Sequence, residues 1–235
     1  MEKIIIIGST GRMGQAILKE IDEMKLDVKV YKFDQGDEFP AGNIDLMIDF
    51  STMEGVLEHI KLAKEKNSAF LTGVTGFNTE QLKEIESYKN DIPVLIDFNM
   101  SIGINTITSL LNQLKDKLVG YDIEIIETHH KHKKDAPSGT AKKIFNELNK
   151  KSRFKEVDGR TGESLRTEDE IGIHAVRGGG VFGEHTVRFI NESEEVAISH
   201  RAFSRTTFAK GAVRAGLWLM KQKNGFYNML DYLNI

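Results

Sequence analysis

The sequence predicts an α/β protein: a Rossmann-like domain with a parallel sheet, followed by an α+β domain with an open mixed sheet. Three observations lead there. Residues 3–8 (KIIIIG) form a short β-branched run that is apolar on both faces, as a central parallel strand requires. Short apolar runs then alternate with segments of helical spacing up to about residue 100, the pattern of a sheet covered by helices. Beyond that point apolar and polar residues alternate along longer strands, as expected of a sheet with only one face in a core.

In chain order, the run at 3–8 is followed by a glycine-rich turn and then by Met13, Ile17, Leu18, Ile21 and Met24 at helical spacing. VKVYKF at 28–33 and DLMIDF at 45–50 read as strands. A helix opened by Ser51-x-x-Glu54 follows, then a strand at AFLT (69–72). A further helix starts at Asn78-x-x-Gln81, and IPVLID at 92–97 is the next strand. SIGINTITSLLNQLKDKLV reads as one amphipathic helix and YDIEIIETHH as a strand. Residues 139–150 are helical in pattern, and 151–170 are polar without period and are expected to be loop. The lines from 171, IGIHAVRGGGVFGEHTVRFI and EEVAISHRAF, read as antiparallel strands. Ser204 is expected to cap a helix running to about 222, with Phe208, Val213, Leu217 and Leu219 on its apolar side, and the tail to pack on the first domain. The expected domains are 1–100 with 205–235, which binds a dinucleotide, and 101–204, which binds substrate. The cleft between them is the default site.

Composition narrows the function. Of 235 residues 40% are hydrophobic, and none of them is cysteine, which removes disulfides, thiolate metal sites and a cysteine nucleophile. No apolar run reaches the roughly 20 residues of a membrane helix, and the opening lacks the features of a signal peptide, so a cytoplasmic protein without a membrane partner is expected. With 32 basic and 35 acidic residues the net charge is −3, which gives no global attraction to nucleic acid. Attraction to an anion must be local.

Gly8-Ser9-Thr10-Gly11-Arg12-Met13-Gly14 joins the first strand to the first helix, where bare N–H groups and the positive helix end suit a pyrophosphate. The pattern gains meaning from its place after a buried N-terminal strand; a merely structural turn is the alternative. Asp34, about 20 residues beyond Gly14, stands where a ribose-binding carboxylate is needed. No arginine follows it to receive a 2′-phosphate, although Lys32 is near, and the reading leans to NADH over NADPH. Gly73-Val74-Thr75-Gly76 and Asp97-Phe98-Asn99-Met100 end two further parallel strands, again where such sheets bind ligands, or serve as ordinary turns.

The other concentration of chemistry is His129-His130-Lys131-His132-Lys133-Lys134-Asp135, leading through Ala136-Pro137-Ser138-Gly139-Thr140 into a helix. Imidazole and ammonium groups supply charge and protons, and Ser138 with the N–H groups of Gly139 and Thr140 can hold a carboxylate. A metal site is disfavoured by the adjacent lysines. Nucleic-acid binding is disfavoured by the short, aromatic-free cluster, and a solvated charged loop stays open. Gly178-Gly179-Gly180 is expected to be a bend. His174, His185 and His200 are expected to be packing or interface residues, and Arg177, Arg188, Arg201 and Arg205 to form structural ion pairs.

Together the turn at 8–14, GVTGF at 73–77, FNMSIGIN at 98–105 and, above all, EIIETHHKHKKDAPSGTA at 124–141 resemble the dihydrodipicolinate reductase (4-hydroxy-tetrahydrodipicolinate reductase) family. IGIHAVRGGGVFGEHTVRF and SHRAFSRTTFAKGAVRAGLWL extend the likeness over nearly the whole chain. The resemblance implies an NADH- or NADPH-dependent enzyme of the diaminopimelate route to lysine, acting on a small cyclic dicarboxylate and assembled as a homotetramer through the open sheets. It implies cofactor contacts from Gly8, Ser9, Thr10, Gly11, Arg12, Met13, Asp34, Gly73, Val74, Thr75, Asp97, Phe98, Asn99 and Met100. By the same resemblance His129 is the proton donor or acceptor, Lys133 a proton donor, and His130, Gly139 and Thr140 bind substrate. Two departures stand out: residues 14–49 are compact for the family, and Asp34 has no arginine after it. Another nicotinamide oxidoreductase of a small carboxylate, or a nucleotide sensor without chemistry, are the alternatives.

Overall fold

The computed structural model describes residues 1–235. Its elements are β1 (Glu2–Ile7), α1 (Arg12–Glu23), β2 (Val28–Phe33), β3 (Leu46–Asp49), α2 (Met53–Lys66), β4 (Ala69–Thr72), α3 (Thr79–Ser87), β5 (Pro93–Ile96), α4 (Ile102–Lys117), β6 (Asp122–His129), α5 (Gly139–Leu148), β7 (Lys155–Asp158), β8 (Glu170–Arg177), β9 (Gly183–Ile190), β10 (Glu195–Ala202), α6 (Thr206–Leu219), β11 (Gly225–Tyr227) and α7 (Met229–Leu233). The chain divides into two compact units, Met1–Ile102 with Arg205–Ile235, and Gly103–Ser204.

In the first unit six parallel strands run in the order β11-β5-β4-β3-β1-β2. The two-residue period of β1 divides its isoleucines between two cores. Ile4 and Ile6 pack with Ile17, Ile21, Ala212 and Val213 of α1 and α6, whereas Ile5 and Ile7 pack with Val56, Ile60 and Ile85 of α2 and α3. Each buried isoleucine contributes about 1.5–3 kcal/mol, which is why this run admits no polar residue. Strand order reverses beside β1, whose neighbours are β2 and β3, so the turn after β1 opens at the crevice where ligands bind in such sheets.

In the second unit the order is β10-β9-β6-β8-β7, with β6, β7 and β8 parallel and β9 and β10 antiparallel to their neighbours. Ile104 and Leu111 of α4 and Ile144, Phe145 and Leu148 of α5 cover one face, over Ile123, Ile125, Ile171, Ile173, Val187 and Phe189. The opposite face is mostly polar, with Ile126, Val176 and Ala197 set among charged and hydroxyl side chains. Glu124 there accepts from His174 Nε2 at 2.7 Å and Arg166 Nε at 3.3 Å, in space that a Cβ at Gly172 would occupy.

Several expectations need correction. The N-cap of α2 is Thr52, whose side chain accepts from Gly55 N, because Ser51 is taken by Asp49. Residues 155–158 of the expected loop form β7, an edge strand too charged to show its pairing with β8 in the sequence. The strand starting near 171 is parallel to β6, and only β9 and β10 are antiparallel. α6 begins at Thr206 after Arg205, without a side-chain cap bond at that N-cap, and ends at Leu219. The tail adds β11, which the sequence reading missed; it is only three residues long and borders β5.

Candidate functional site

The first unit builds a phosphate-sized turn from backbone alone. Gly8 has φ +75°, and a Cβ there would stand 2.8 Å from the Phe50 carbonyl oxygen; one at Gly14 would stand 2.2 Å from the Gly8 oxygen. Only glycine lets the first turn of α1 come this close to the strand end. Gly11 is the N-cap of α1 without a side-chain cap, and no acid occupies the first turn, leaving the helix end to an outside anion. Asp34 follows β2 and accepts from Ser9 Oγ (2.5 Å), Thr10 Oγ1 (2.9 Å) and Thr10 N. Burial would raise its pKa, but these bonds outweigh it and hold the carboxyl below its ordinary value.

A cavity of about 640 Å³ opens beside the turn, lined by Gly8, Gly11, Asp34, Gln35, Phe50 and His59 among others. These features fit a dinucleotide: a bare-backbone cradle, a carboxylate at the end of the second strand and a partly apolar pocket next to both. Gly73, Val74 and Thr75 leave the end of β4, where a Cβ at Gly73 would collide with the Phe50 ring at 2.3 Å. Asp97, Phe98 and Asn99 leave the end of β5. Asp97 Oδ1 accepts from Asn99 N, Asp97 Oδ2 from Met229 N, and Phe98 is exposed. The side chains of Met13 and Met100 belong to the apolar core, and Arg12 is exposed on the first turn of α1. The site stretches of this unit thus gather at the carboxyl ends of β1, β2, β4 and β5.

In the second unit the helix-covered face of the sheet changes character along β6. Ile123 and Ile125 are core residues, and the next two positions on that face are Glu127 and His129. Register places Glu127 opposite His185 and His129 opposite Arg177. Glu127 is wholly buried and fully engaged. Its Oε2 accepts from His129 Nδ1 (2.5 Å) and Arg177 Nη1 (2.8 Å), and its Oε1 from Arg177 Nη2 (2.7 Å) and Ser138 N (3.0 Å). Burial would raise its pKa, but the Arg177 and His129 bonds hold it below the usual carboxylate range. An ionised Glu127 only accepts, so His129 carries its proton on Nδ1 and presents Nε2 as the free lone pair. A Cβ at Gly183 would sit 3.1 Å from that nitrogen.

Burial lowers the pKa of His129 below 6.5, with Glu127 pulling in the opposite direction. Lys133 reaches Asp135 at 2.9 Å and is partly exposed. His130 is half-buried with its ring 6.2 Å from that of His132. Ser138 caps α5 by accepting from Ala141 N; Gly139, its first residue, is exposed, and Thr140 follows it. His129, His130, Lys133, Ser138, Gly139 and Thr140 therefore occupy one end of β6 and the start of α5, so two imidazoles, an ammonium and a helix N-terminus share one neighbourhood. That set suits a carboxylate ligand and a proton transfer.

Sequence reasoning missed Glu127, which looks like one more polar residue of an alternating strand, although its phase on the apolar face of β6 is legible. Arg177 makes the expected ion pair. His185, expected to be a packing or interface residue, is buried with its ring 5.1 Å from His129 and its Nε2 3.2 Å from Ser138 Oγ. Burial, with help from the charge of His129, pushes its pKa to about 3. A group with a folded pKa far below its unfolded 6.5 gives stability that is complete above 6.5 and lost as pH falls toward the folded value. From pH 6.5 to 5, His185 should withdraw roughly 2 kcal/mol, while Glu127, whose loss begins only near its unfolded pKa, contributes no slope. Thermal melts at pH 7, 6 and 5 should show this, and His185→Gln should flatten the decline; an equal slope in both proteins contradicts the assignment.

Known proteins point the same way. Residues 24–100 match the family model of the dihydrodipicolinate reductase N-terminus, and residues 103–233 that of its C-terminus. The 4-hydroxy-tetrahydrodipicolinate reductase of Methanoculleus marisnigri is 37% identical over 253 residues, covering 100% of both chains. That of Alkaliphilus oremlandii is 40% identical over 240 residues, covering 99% of this chain and 98% of its own. A solved dihydrodipicolinate reductase from Paenisporosarcina sp. TG-14, with dipicolinate bound, superposes with a TM-score of 0.76 at 25% identity over 99% of each chain.

Proposed function

Because the chain belongs to the dihydrodipicolinate reductase family, and so is an NAD(P)H-dependent reductase of 4-hydroxy-tetrahydrodipicolinate in lysine and diaminopimelate biosynthesis, we propose that His129 and Lys133 carry its proton chemistry. The observation that supports this reading best is the buried Glu127–Arg177 pair that orients His129 beside Lys133 and the start of α5. The substrate is a small ring with two carboxylates. His130, the Lys133 ammonium and the N–H groups of Gly139 and Thr140 hold one of them. When bound, a reduced nicotinamide supplies a hydride from C4 to the conjugated ring of the substrate. The ring then needs a proton at carbon. His129 takes up a proton on its Nε2 lone pair and passes it on from there, directly or through water, and the Lys133 ammonium neutralises the carboxylate and assists as an acid.

In the first unit, Gly8 to Met13 hold the pyrophosphate, Asp34 the adenosine ribose, and the stretches 73–75 and 97–100 the nicotinamide half. NADH is the preferred form in this reading. The cavity beside Asp34 is lined by Glu54 and Glu58 and by no lysine or arginine, so a 2′-phosphate would meet three carboxylates and no cation. Absorbance at 340 nm, with substrate freshly made from pyruvate and aspartate semialdehyde, tests the reaction: signal should fall only in the complete mixture. kcat/KM should favour NADH at least tenfold over NADPH. Gln35→Arg, which places a guanidinium next to Asp34, should narrow or reverse that ratio; an unchanged ratio would argue against the placement of the ribose.

A cytoplasmic homotetramer belongs to the same reading. It is supported by the polar face of the second sheet, where Glu124, Thr186, Arg188, Ser199 and Arg201 lie side by side opposite the helices.

A further inference from the structure

We propose that His59, held by the buried Asp49, reads the adenine of the dinucleotide by accepting a hydrogen bond from its exocyclic amino group. The inference rests on the cofactor reading above and adds a residue to it. With pyrophosphate on the glycine turn and ribose on Asp34, the covalent order of the cofactor sends the base into the rest of the cavity. There it meets Gln35, Phe50, Gly55 and His59.

The chemistry of that wall is specific. Asp49, at the end of β3, is fully buried. One of its oxygens accepts from Ser51 N (2.8 Å) and Ser51 Oγ (2.6 Å), and the other faces His59 Nδ1 at 2.7 Å. A carboxylate only accepts, so the Nδ1 proton of His59 is committed to it and Nε2 is the ring nitrogen left to present a lone pair. No group of the chain bonds that nitrogen, while the ring lines the cavity. The ring is also fixed in place. Phe33 meets it edge-on at 5.7 Å, and a Cβ at Gly55 would press on its Cε1 at 3.1 Å and on Ser51 Oγ at 2.8 Å, so glycine makes room for the arrangement. A flat base between apolar walls needs one polar contact to set its orientation, and a held acceptor selects the amino group of adenine over the carbonyl of hypoxanthine.

Isothermal titration of the full chain with NADH, with its hypoxanthine analogue and with reduced nicotinamide mononucleotide tests this. The unmodified protein should bind NADH roughly tenfold more tightly than the hypoxanthine analogue. His59→Phe, which keeps a ring but no acceptor, should bind the two alike and leave the affinity for the mononucleotide unchanged. A purely structural contact, with Asp49–His59 merely joining α2 to β3, predicts instead no preference in the unmodified protein, or a preference that survives the substitution; either result overturns the proposal. The comparison on the unmodified protein needs no variant and decides the matter should His59→Phe fail to fold. Absence of NADH binding altogether would overturn the cofactor reading itself, a result distinct from binding without discrimination.

Discussion

Lys133→Ala is expected to lower kcat by roughly 10²–10⁴-fold, the range that a positioned acid contributes, while the dissociation constant for NADH changes less than threefold. The separation follows from where the residue stands. Lys133 lies in the second unit, between the end of β6 and the start of α5, paired with Asp135 at 2.9 Å, whereas the turn, Asp34 and the cavity beside them all lie in the first. On the proposed role of Lys133, removing its ammonium should also raise KM, since one charge-assisted contact to the substrate is lost. The pH profile carries the sharper information. Burial lowers the pKa of His129, so without Lys133 the remaining acid is protonated only at low pH. The variant should therefore already be losing activity as pH rises toward about 6.5, the ordinary histidine value, where the unmodified enzyme still turns over. Equal losses in NADH affinity and turnover would show that Lys133 supports the cofactor or the fold instead of the proton transfer.

What the sequence made legible, and what it hid, divides along physical lines. The parallel sheet was readable because both faces of β1 are buried, which leaves an uninterrupted isoleucine run, and the glycine turn because its bare positions are forced by contacts as short as 2.2 Å for a Cβ at Gly14. The histidine and lysine cluster was readable because so dense a run of one chemistry is rare. β7 was hidden because an edge strand with the burial of KEVD draws its stability from pairing with β8 and not from an apolar pattern. Glu127 and His185 were hidden for a related reason. Single polar residues in a strand announce neither which face they occupy nor what stands opposite, and register supplies both: Glu127 faces His185 across β9 and neighbours Arg177 on β8. Asp49 and His59 sit ten residues apart on a strand and a helix, so only the close packing of α2 on β3 brings them together.

Glu127 is where stability and chemistry depend on one side chain, and two substitutions there should separate them. Glu127→Ala removes the acceptor of four hydrogen bonds at once and leaves the Arg177 guanidinium, the His129 Nδ1 proton and the Ser138 N–H without their partner in a buried site. Breaking a buried ion pair from one side costs about 3–5 kcal/mol, so the melting temperature should fall by on the order of 10 °C. Glu127→Gln keeps the shape and one acceptor oxygen. That oxygen can still take Arg177 and Ser138 N, which places the amide NH₂ against His129 Nδ1. A donor in that position drives the His129 proton from Nδ1 to Nε2, so the nitrogen proposed to take up and pass on the substrate's proton loses its lone pair and the tautomer is reversed. The expected result is a melting temperature nearer the unmodified protein than that of Glu127→Ala, with kcat still reduced by roughly 10²-fold or more and NADH affinity unchanged. Should Glu127→Gln retain full turnover, Glu127 would be a structural partner of Arg177 alone, and the orientation of His129 would have to come from elsewhere in the chain.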